Sequence, residues 1–179
     1  MKTSMLAVAL LLAGCRGPGY RIIKQAPATD LAGKTTFAIA PVDYSQGDVA
    51  GLTEAEYSAS QDENGKHQWA DVKSGIDQDF SEAVASKGGG LTFVKAGVQA
   101  ALLVKPIVRS LKPGSFMGTS HLRLAVQITT PDGAILDEIE LANGTHGNIY
   151  NPTDEKRLRN DAETIGENVG RYLSSRAKP

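Results

Sequence analysis

The chain has 179 residues, 41% of them apolar, and its 19 basic and 20 acidic side chains leave a formal net charge of −1. This length is typical of one domain, and the apolar content is sufficient for a packed core. The near-zero charge excludes the clustered basic surplus of a nucleic-acid-binding protein, and the single cysteine, Cys15, excludes an internal disulfide.

The first fifteen residues have the pattern of a bacterial lipoprotein signal peptide. Lys2 precedes an apolar run, Met5–Leu12, and the run ends in Leu-Ala-Gly-Cys15. Because about 20 apolar residues are needed to cross a bilayer, the run is too short for a membrane span and matches the apolar part of a cleaved signal. The alternative is that it forms an apolar first helix or strand.

This pattern predicts cleavage between Gly14 and Cys15, which removes residues 1–14, and lipidation of the Cys15 thiol. Two or more acyl chains hold a protein at a bilayer, whereas one chain binds only marginally. Arg16 follows the cysteine where an inner-membrane retention signal commonly has aspartate. By analogy with Gram-negative sorting, we expect an outer-membrane lipoprotein with its domain in the periplasm and its only membrane contact through the lipid.

The segment after the cysteine has no clear periodicity. Residues 15–33 mix glycine, proline and charge, so we expect a lipidated N-terminus and a flexible tether. Residues 34–179 are expected to form one domain. Thr35–Pro41 predicts a short strand, and the polar stretch Gln46–Gln68 predicts a long surface loop with a helical turn near Thr53.

A first long helix is predicted over Ala70–Ser86. Apolar side chains recur there about every four residues, which gives one buried face: Val72, Ile76, Phe80, Ala83 and Val84. Gly88–Gly90 is expected to end the helix, because glycine takes the left-handed conformation common at helix ends. A short strand, Leu91–Val94, is predicted to follow.

The most strand-like part of the chain comes next. Ala101–Leu111 predicts a strand in which Pro106 marks a bulge or an edge. His121–Thr130 alternates apolar and polar residues, the pattern of a half-buried strand. Thr130–Gly133 predicts a tight turn, after which Ile135–Leu141 pairs back as a hairpin.

A second long helix is predicted over Thr153–Ser175. We expect Asn151 to cap it and Pro152 to occupy its first position. One face of this helix is an apolar stripe: Leu158, Ala162, Ile165, Val169, Tyr172 and Leu173. The charged side chains are expected to face water: Arg157, Arg159, Glu163, Glu167 and Arg171. Gly166 and Gly170 indicate either close packing against a sheet or no special role. The whole pattern predicts an α+β fold, with one mixed or antiparallel sheet and two main amphipathic helices packed on it.

No motif indicates catalysis, a cofactor or a metal. The three histidines, His67, His121 and His146, lack the spacing of zinc ligands. Ser120 precedes His121, but strand alternation points the two side chains to opposite faces. We therefore expect a non-enzymatic protein with no cofactor and no metal.

Two features could contact a partner. The loop from Gly114 to Ser120 presents Phe116 and Met117 among small residues, and apolar side chains on loops often anchor a partner. Trp69 is the second candidate. The alternatives are that Phe116 and Met117 pack on the domain's own core, and that Trp69 packs at the start of the first long helix.

The order of motifs carries a resemblance that spans about Lys34 to Ser175. A cysteine-terminated signal is followed by the strand ending in Pro41, an amphipathic helix, a strand running into Leu-Lys-Pro-Gly114, a hairpin and a second amphipathic helix. This order resembles that of bacterial lipoproteins of the domain-of-unknown-function kind, which are distantly similar to penicillin-binding-protein activator and curli-secretion lipoproteins. The resemblance implies an α+β domain that works by contact with envelope partners.

We therefore expect an outer-membrane-anchored lipoprotein that acts as an interaction or accessory module in envelope transport, secretion or assembly. Its partners are expected to be the membrane, through the lipid, and an envelope protein, with no nucleic acid. One alternative is a periplasmic carrier of a small ligand or lipid, and another is an envelope hydrolase.

Overall fold

A computed structural model describes residues 19–114 and 118–178. In chain order the elements are β1 (Arg21–Lys24), α1 (Ala28–Leu31), β2 (Thr36–Ile39), β3 (Asp48–Val49), α2 (Glu54–Ser60), α3 (Glu63–Lys87), β4 (Thr92–Lys95), β5 (Leu102–Lys112), β6 (His121–Thr129), β7 (Ile135–Asn143) and α4 (Asp154–Ala177). The seven strands form one mixed sheet, and α3 and α4 are the two main helices. The predicted α+β fold is confirmed.

The strand order of the sheet is β1-β7-β6-β5-β2-β4, with β3 pairing to β5. The pairs β1–β7, β7–β6 and β6–β5 are antiparallel, whereas β2 pairs parallel with both β5 and β4, and β3 pairs parallel with β5. Parallel neighbours need a crossover connection, and α3 is the longest element of the connection that joins β2 to β4.

Strand β6 shows why the sheet has a buried and an open face. Its alternate side chains Leu122, Leu124, Val126 and Ile128 are fully buried. Ile128 is in register with Asp137, which bonds to side chains of α4, so this face lies under the helices. The predicted buried face of this strand is confirmed, whereas Ala125 and Thr129 on the other face are buried as well.

Helices α3 and α4 pack against each other on that face. The predicted apolar stripe of α3 is buried at Ile76, Phe80 and Val84, and Gly88–Gly90 ends the helix as expected. Gly166 and Gly170 lie against the backbone of α3, so the expectation that they approach the sheet is wrong. They allow close contact between two helices.

The segment expected to be a tether contains regular structure. β1 pairs with β7 at the edge of the sheet, and α1 follows it. The Ala26 amide donates to Asp137 at 2.8 Å, and the Gly33 amide donates to the Ala177 carbonyl at 3.0 Å. Pairing with the sheet and α4 therefore orders Arg21–Leu31, although its sequence shows no periodicity.

Side-chain caps place two helix starts differently from the sequence prediction. Asp62 caps α3, so this helix begins before the predicted Ala70. Thr53 forms a capping box with Glu56, which starts a separate helix, α2, where we expected a loop with one turn. In α4 the cap is Thr153, whose side chain accepts from the Lys156 amide, and not Asn151.

Arg157 is also placed differently: it was expected to face water but is fully buried. Its Nη1 donates to the carbonyl oxygens of Asn151 and Pro152, and its Nη2 pairs with Asp154. These contacts hold the turn before α4, which explains why a charged side chain occupies the interior.

Within the two described ranges, no helix combines the length and apolarity that a membrane crossing requires.

Candidate interaction surfaces

A groove of about 790 Å³ lies between α3 and the β4 side of the sheet. Ile39 and Phe93 supply apolar side chains to it, and the exposed face of α3 supplies polar ones. The groove follows the carboxyl ends of the parallel strands β2 and β4, the place where open sheets commonly bind ligands. Its volume lies within the range of small-molecule sites.

Two carboxylates, Asp77 and Glu82, and the ammonium group of Lys95 line this groove. Asp77 is partly buried and accepts a hydrogen bond from the Val42 amide at 2.7 Å. Burial raises the pKa of Asp77, while the Val42 hydrogen bond opposes that rise. The groove therefore combines an apolar floor with an acidic wall.

The turns that precede α4 form a second surface, which we call the apex: Gly118 and Thr119 with residues 146–151. Ile149 is 85% exposed and Tyr150 is 75% exposed, the largest fractions among the exposed large apolar residues of the described ranges. Asn148 Oδ1 accepts from the Tyr150 amide at 2.8 Å and from the Asn151 amide at 3.0 Å. The two apolar side chains thus project from a hydrogen-bonded turn.

The apex adjoins the loop that was predicted to contact a partner. The Gly147 amide donates to the Gly118 carbonyl at 2.9 Å, and Thr119 Oγ1 lies 3.2 Å from His146 Nδ1. Phe116 and Met117 lie outside the described residues, as do Gly14 and Cys15. Sequence reasoning missed Ile149 and Tyr150, although two large apolar residues within the polar stretch before Pro152 were a detectable signal.

Trp69, the other predicted contact residue, is 5% exposed. Its ring makes edge contacts with Tyr44 and Tyr57 at centroid distances of 5.9 and 5.0 Å. Its Nε1 donates to Glu54 at 3.0 Å, and Glu54 also pairs with Lys73 at 2.6 Å. The indole therefore joins α2 to α3 inside the protein.

The face of the sheet opposite the helices carries a network of ion pairs. Glu140 accepts from Arg123 at 2.6 Å and from Arg21 at 3.0 Å, and Glu138 accepts from Arg109 at 3.3 Å. The hydrogen bond from Arg123 is the main reason that the pKa of Glu140 lies below its usual value. These long side chains cover Ala125, which is only 1% exposed.

A buried polar cluster surrounds Asp161, which is 0% exposed. Its oxygens accept from the Ser120 and Thr145 hydroxyls, both at 2.7 Å, and from Asn143 Nδ2 at 2.8 Å. Ser120 is buried in this cluster, whereas the neighbouring His121 is exposed. The arrangement ties the start of β6 and the segment after β7 to α4, and it places the Asp161 carboxylate, not the His121 ring, beside the Ser120 hydroxyl.

Burial raises the pKa of Asp161 above its ordinary value of 3.8, against hydrogen bonds that lower it. The folded protein then binds this proton more tightly than the unfolded chain does, so stability decreases as pH rises from 3.8 to the raised pKa. We expect the unfolding free energy of the wild type, minus that of Asp161→Asn, to fall over this interval and to level off above it. Urea unfolding of both proteins at a series of pH values measures this difference, and a rise with pH would contradict the assignment.

Among residues 19–114 and 118–178, no three His, Cys, Asp or Glu side chains are grouped so that they could hold a metal ion.

No protein-family model and no curated protein sequence matches the chain. The fold is similar to that of the PelC dodecamer from Paraburkholderia phytofirmans. A PelC variant in space group C2 gives a TM-score of 0.51 at 12% identity, covering 89% of this chain and 98% of that one. PelC in space group P6 gives a TM-score of 0.50 at the same identity and coverage.

The fold is also similar to that of the hypothetical protein CT253 from Chlamydia trachomatis. The TM-score is 0.50 at 12% identity, and the match covers 79% of this chain and 99% of that one. At this level of identity the likeness of these structures establishes a shared fold and nothing more about what this chain does.

Proposed function

We propose that this protein is a lipid-anchored lipoprotein of the bacterial outer membrane that works as a non-enzymatic accessory module in envelope transport, secretion or assembly. In this proposal the apex binds an envelope protein, and the module acts as a homo-oligomer. The observation that carries the proposal is the exposed pair Ile149 and Tyr150 on a hydrogen-bonded turn. Exposed apolar side chains on an ordered loop are typical of protein contact sites.

The positions of the anchor and the apex support this division of roles. Cys15 lies four residues before Gly19, a separation that an extended chain spans in at most about 14 Å. Gly19 lies beside Asn168 of α4, whereas the apex precedes Asp154 at the start of the same helix. At 1.5 Å per residue, these ends of α4 are roughly 20 Å apart. A lipid on Cys15 can therefore hold one end while the apex contacts a partner.

The homo-oligomer is supported by the shared fold with PelC, which forms a dodecamer. The match covers 98% of that chain.

A carrier of a small ligand or lipid is the second candidate, because the groove between α3 and β4 has a suitable volume and an apolar floor. A carrier would bind one ligand class at this groove, and substitution of Phe93 would weaken that binding.

In-cell photocrosslinking tests the proposed function. A photoreactive residue at Ile149 or Tyr150 of the full-length protein is expected to capture one defined envelope protein, because within residues 19–114 and 118–178 these are the most exposed large apolar side chains. The matched control is the same residue at Glu163, which is exposed on α4 outside the apex. Captured proteins are identified by mass spectrometry.

Cys15→Ala serves as the anchor control. This variant is expected to leave the membrane fraction and to lose the crosslinked product, since the thiol is the predicted lipidation site. Capture of the same abundant proteins from Glu163 as from the apex would refute the partner proposal. A Cys15→Ala protein that stays in the membrane fraction would refute the lipid anchor.

A further inference from the structure

Both edges of the sheet are open in the described part of the chain. β1 pairs with β7 alone, and β4 pairs with β2 alone. An edge strand presents unpaired N–H and C=O groups to any strand that approaches it. On β1, two adjacent large apolar side chains, Ile22 and Ile23, are 47% and 49% exposed.

The outer edge of β4 is prepared to accept a strand. The Thr92 amide donates to the Thr35 carbonyl at 2.7 Å, and the Ala96 amide donates to the Ile39 carbonyl at 3.1 Å. Because the hydrogen-bonding groups of successive strand residues point to alternate sides, the amide of Lys95 points to the free edge. The groove under α3 opens beside this edge.

The chemistry of β1 complements that of the groove. β1 has the sequence Arg-Ile-Ile-Lys, with two apolar residues between two cations. The groove has an apolar floor and carries the carboxylates of Asp77 and Glu82. Arg21 and Lys24 are in register with Glu140 and Glu138, so they lie on the face away from the groove, and it is the apolar Ile22 that complements the apolar floor. Two β1 strands paired with each other would bring like charges together, which disfavours that alternative.

The faces of the two strands also match. Ile22 is in register with the buried Ile139, so its side chain points to the helix side of the sheet. Phe93 is in register with the buried Phe37, so it points to the same side. A β1 strand laid beside β4 in a continuous sheet therefore directs Ile22 into the groove.

The strand directions permit a repeating contact. β1 runs opposite to β7, and following the sheet through β6, β5 and β2 shows that β1 is antiparallel to β4. Copies related by rotation about an axis parallel to the strands keep the strand direction, so β1 of one copy would meet β4 of the next as an antiparallel pair. Such a head-to-tail contact uses two different surfaces, and it closes into a ring when the rotation between copies allows.

We infer that this chain self-assembles by strand addition, in which β1 of one copy pairs antiparallel with β4 of a second copy and places Ile22 in the groove beneath α3. This inference rests on the homo-oligomer proposed above and names its interface. It also assigns the groove to a second copy of the chain and not to a small ligand.

Lys95→Pro tests the inference directly. Proline removes the outward amide but leaves the inward bonds from Thr92 and Ala96, and an edge strand tolerates proline at such a position. We expect the full-length protein to sediment as an oligomer, Lys95→Pro as a monomer and the matched Lys95→Ala as an oligomer. Analytical ultracentrifugation measures the size, and a thermal melt monitored by circular dichroism verifies that each variant is folded.

Cysteine crosslinking provides a test that does not depend on the proline variant. Copies carrying Arg21→Cys are co-expressed with copies carrying Val94→Cys, because both side chains lie on the face of the sheet opposite the helices. The cells are then treated with a short bismaleimide. The mixed dimer is expected, and either variant expressed alone is expected to give at least tenfold less dimer.

The outcomes separate this inference from the proposed function. An oligomer that persists in Lys95→Pro and gives no mixed crosslink overturns the β1–β4 interface but leaves self-assembly intact. A monomeric wild type overturns self-assembly and the interface together, while the apex crosslinking experiment still decides whether the protein binds an envelope partner.

Discussion

Replacing both Gly166 and Gly170 with alanine is expected to lower the unfolding free energy by about 3 kcal/mol, although alanine favours the isolated helix. A Cβ atom on Gly166 would lie 2.5 Å from the Phe80 carbonyl oxygen, and one on Gly170 would lie 2.5 Å from the Val84 carbonyl oxygen. Both obstacles are backbone atoms of α3, which cannot move without displacing the helix. The α3–α4 layer would have to separate.

The opposing effects can be compared in size. Exchanging glycine for alanine in a helix interior gains roughly 0.5–1 kcal/mol. Overpacking at a closely packed site costs about 1–3 kcal/mol and sometimes more. With contacts as short as 2.5 Å at both positions, we expect the packing cost to exceed the helix gain.

Gly75→Ala is the matched control, because Gly75 is a buried glycine in α3 whose nearest neighbour is a side chain. Its added Cβ would lie 2.8 Å from Cδ of Arg159, which can change rotamer. Urea denaturation of the three proteins is expected to show a clearly smaller loss for Gly75→Ala than for the double variant. Equal losses would mean that the backbone contact between the helices is not what requires glycine.

These glycines illustrate what sequence reasoning could and could not predict for this chain. Local periodicity was sufficient for β6, for the stripe of α3 and for most of α4, because each of these elements buries one face. The glycine pair was detectable as a sign of close packing. The sequence did not show that these glycines face α3, because the connection between β2 and β4 determines which element packs on α4.

The interaction surfaces were harder to predict for the same reason. β1 has only four residues and no alternation, and it is ordered by pairing with β7, more than a hundred residues away. The groove exists because the strand order places β4 at an edge beneath α3. Neither feature has a local signal, whereas the signal peptide, which stays a prediction, rests on a pattern confined to the first fifteen residues.

Arg157 shows a further limit of periodicity. The helical pattern correctly placed Leu158 and Ala162 inside, but it assigned Arg157 to the surface because charged residues are seldom buried. The turn before α4 leaves carbonyl oxygens of Asn151 and Pro152 that need donors, and Arg157 supplies them. The periodicity of the helix does not show that the turn before it leaves carbonyl oxygens without hydrogen-bond donors.

Asp137→Ala is expected to lower the unfolding free energy by about 4 kcal/mol, a larger loss than that of the glycine double variant. Asp137 is fully buried. It accepts from Tyr172 Oη at 2.6 Å, from Arg176 Nε at 2.9 Å and from the Ala26 amide at 2.8 Å. Removing the carboxylate leaves the Arg176 cation, whose side chain is only 12% exposed, without its counter-charge, and breaking one side of a buried pair costs about 3–5 kcal/mol.

Substitutions that remove less of this hydrogen-bonded pair should lower the unfolding free energy by less than Asp137→Ala does. Tyr172→Phe removes one hydrogen bond to a charged group and is expected to cost about 1.5–3 kcal/mol. Asp132→Ala, in the exposed turn after β6, is the control for removing an aspartate and is expected to change stability by less than about 0.5 kcal/mol. Urea denaturation gives all three values, and an Asp137→Ala loss no greater than that of Tyr172→Phe would contradict the buried-pair argument.

The same variant should also release β1 from the sheet. Ala26 lies in the segment that joins β1 to α1. Asp137 accepts from its amide, and Arg176 Nη2 donates to its carbonyl at 2.7 Å. The buried pair Asp137–Arg176 therefore holds both backbone groups of Ala26. In Asp137→Ala we expect amide hydrogen exchange in Arg21–Lys24 to become fast while β6 stays protected. Because β1 is the strand inferred to reach the next copy, its release should weaken self-assembly even at temperatures where the domain remains folded. A variant with fast exchange in β1 and an undiminished oligomer would therefore count against the β1–β4 interface.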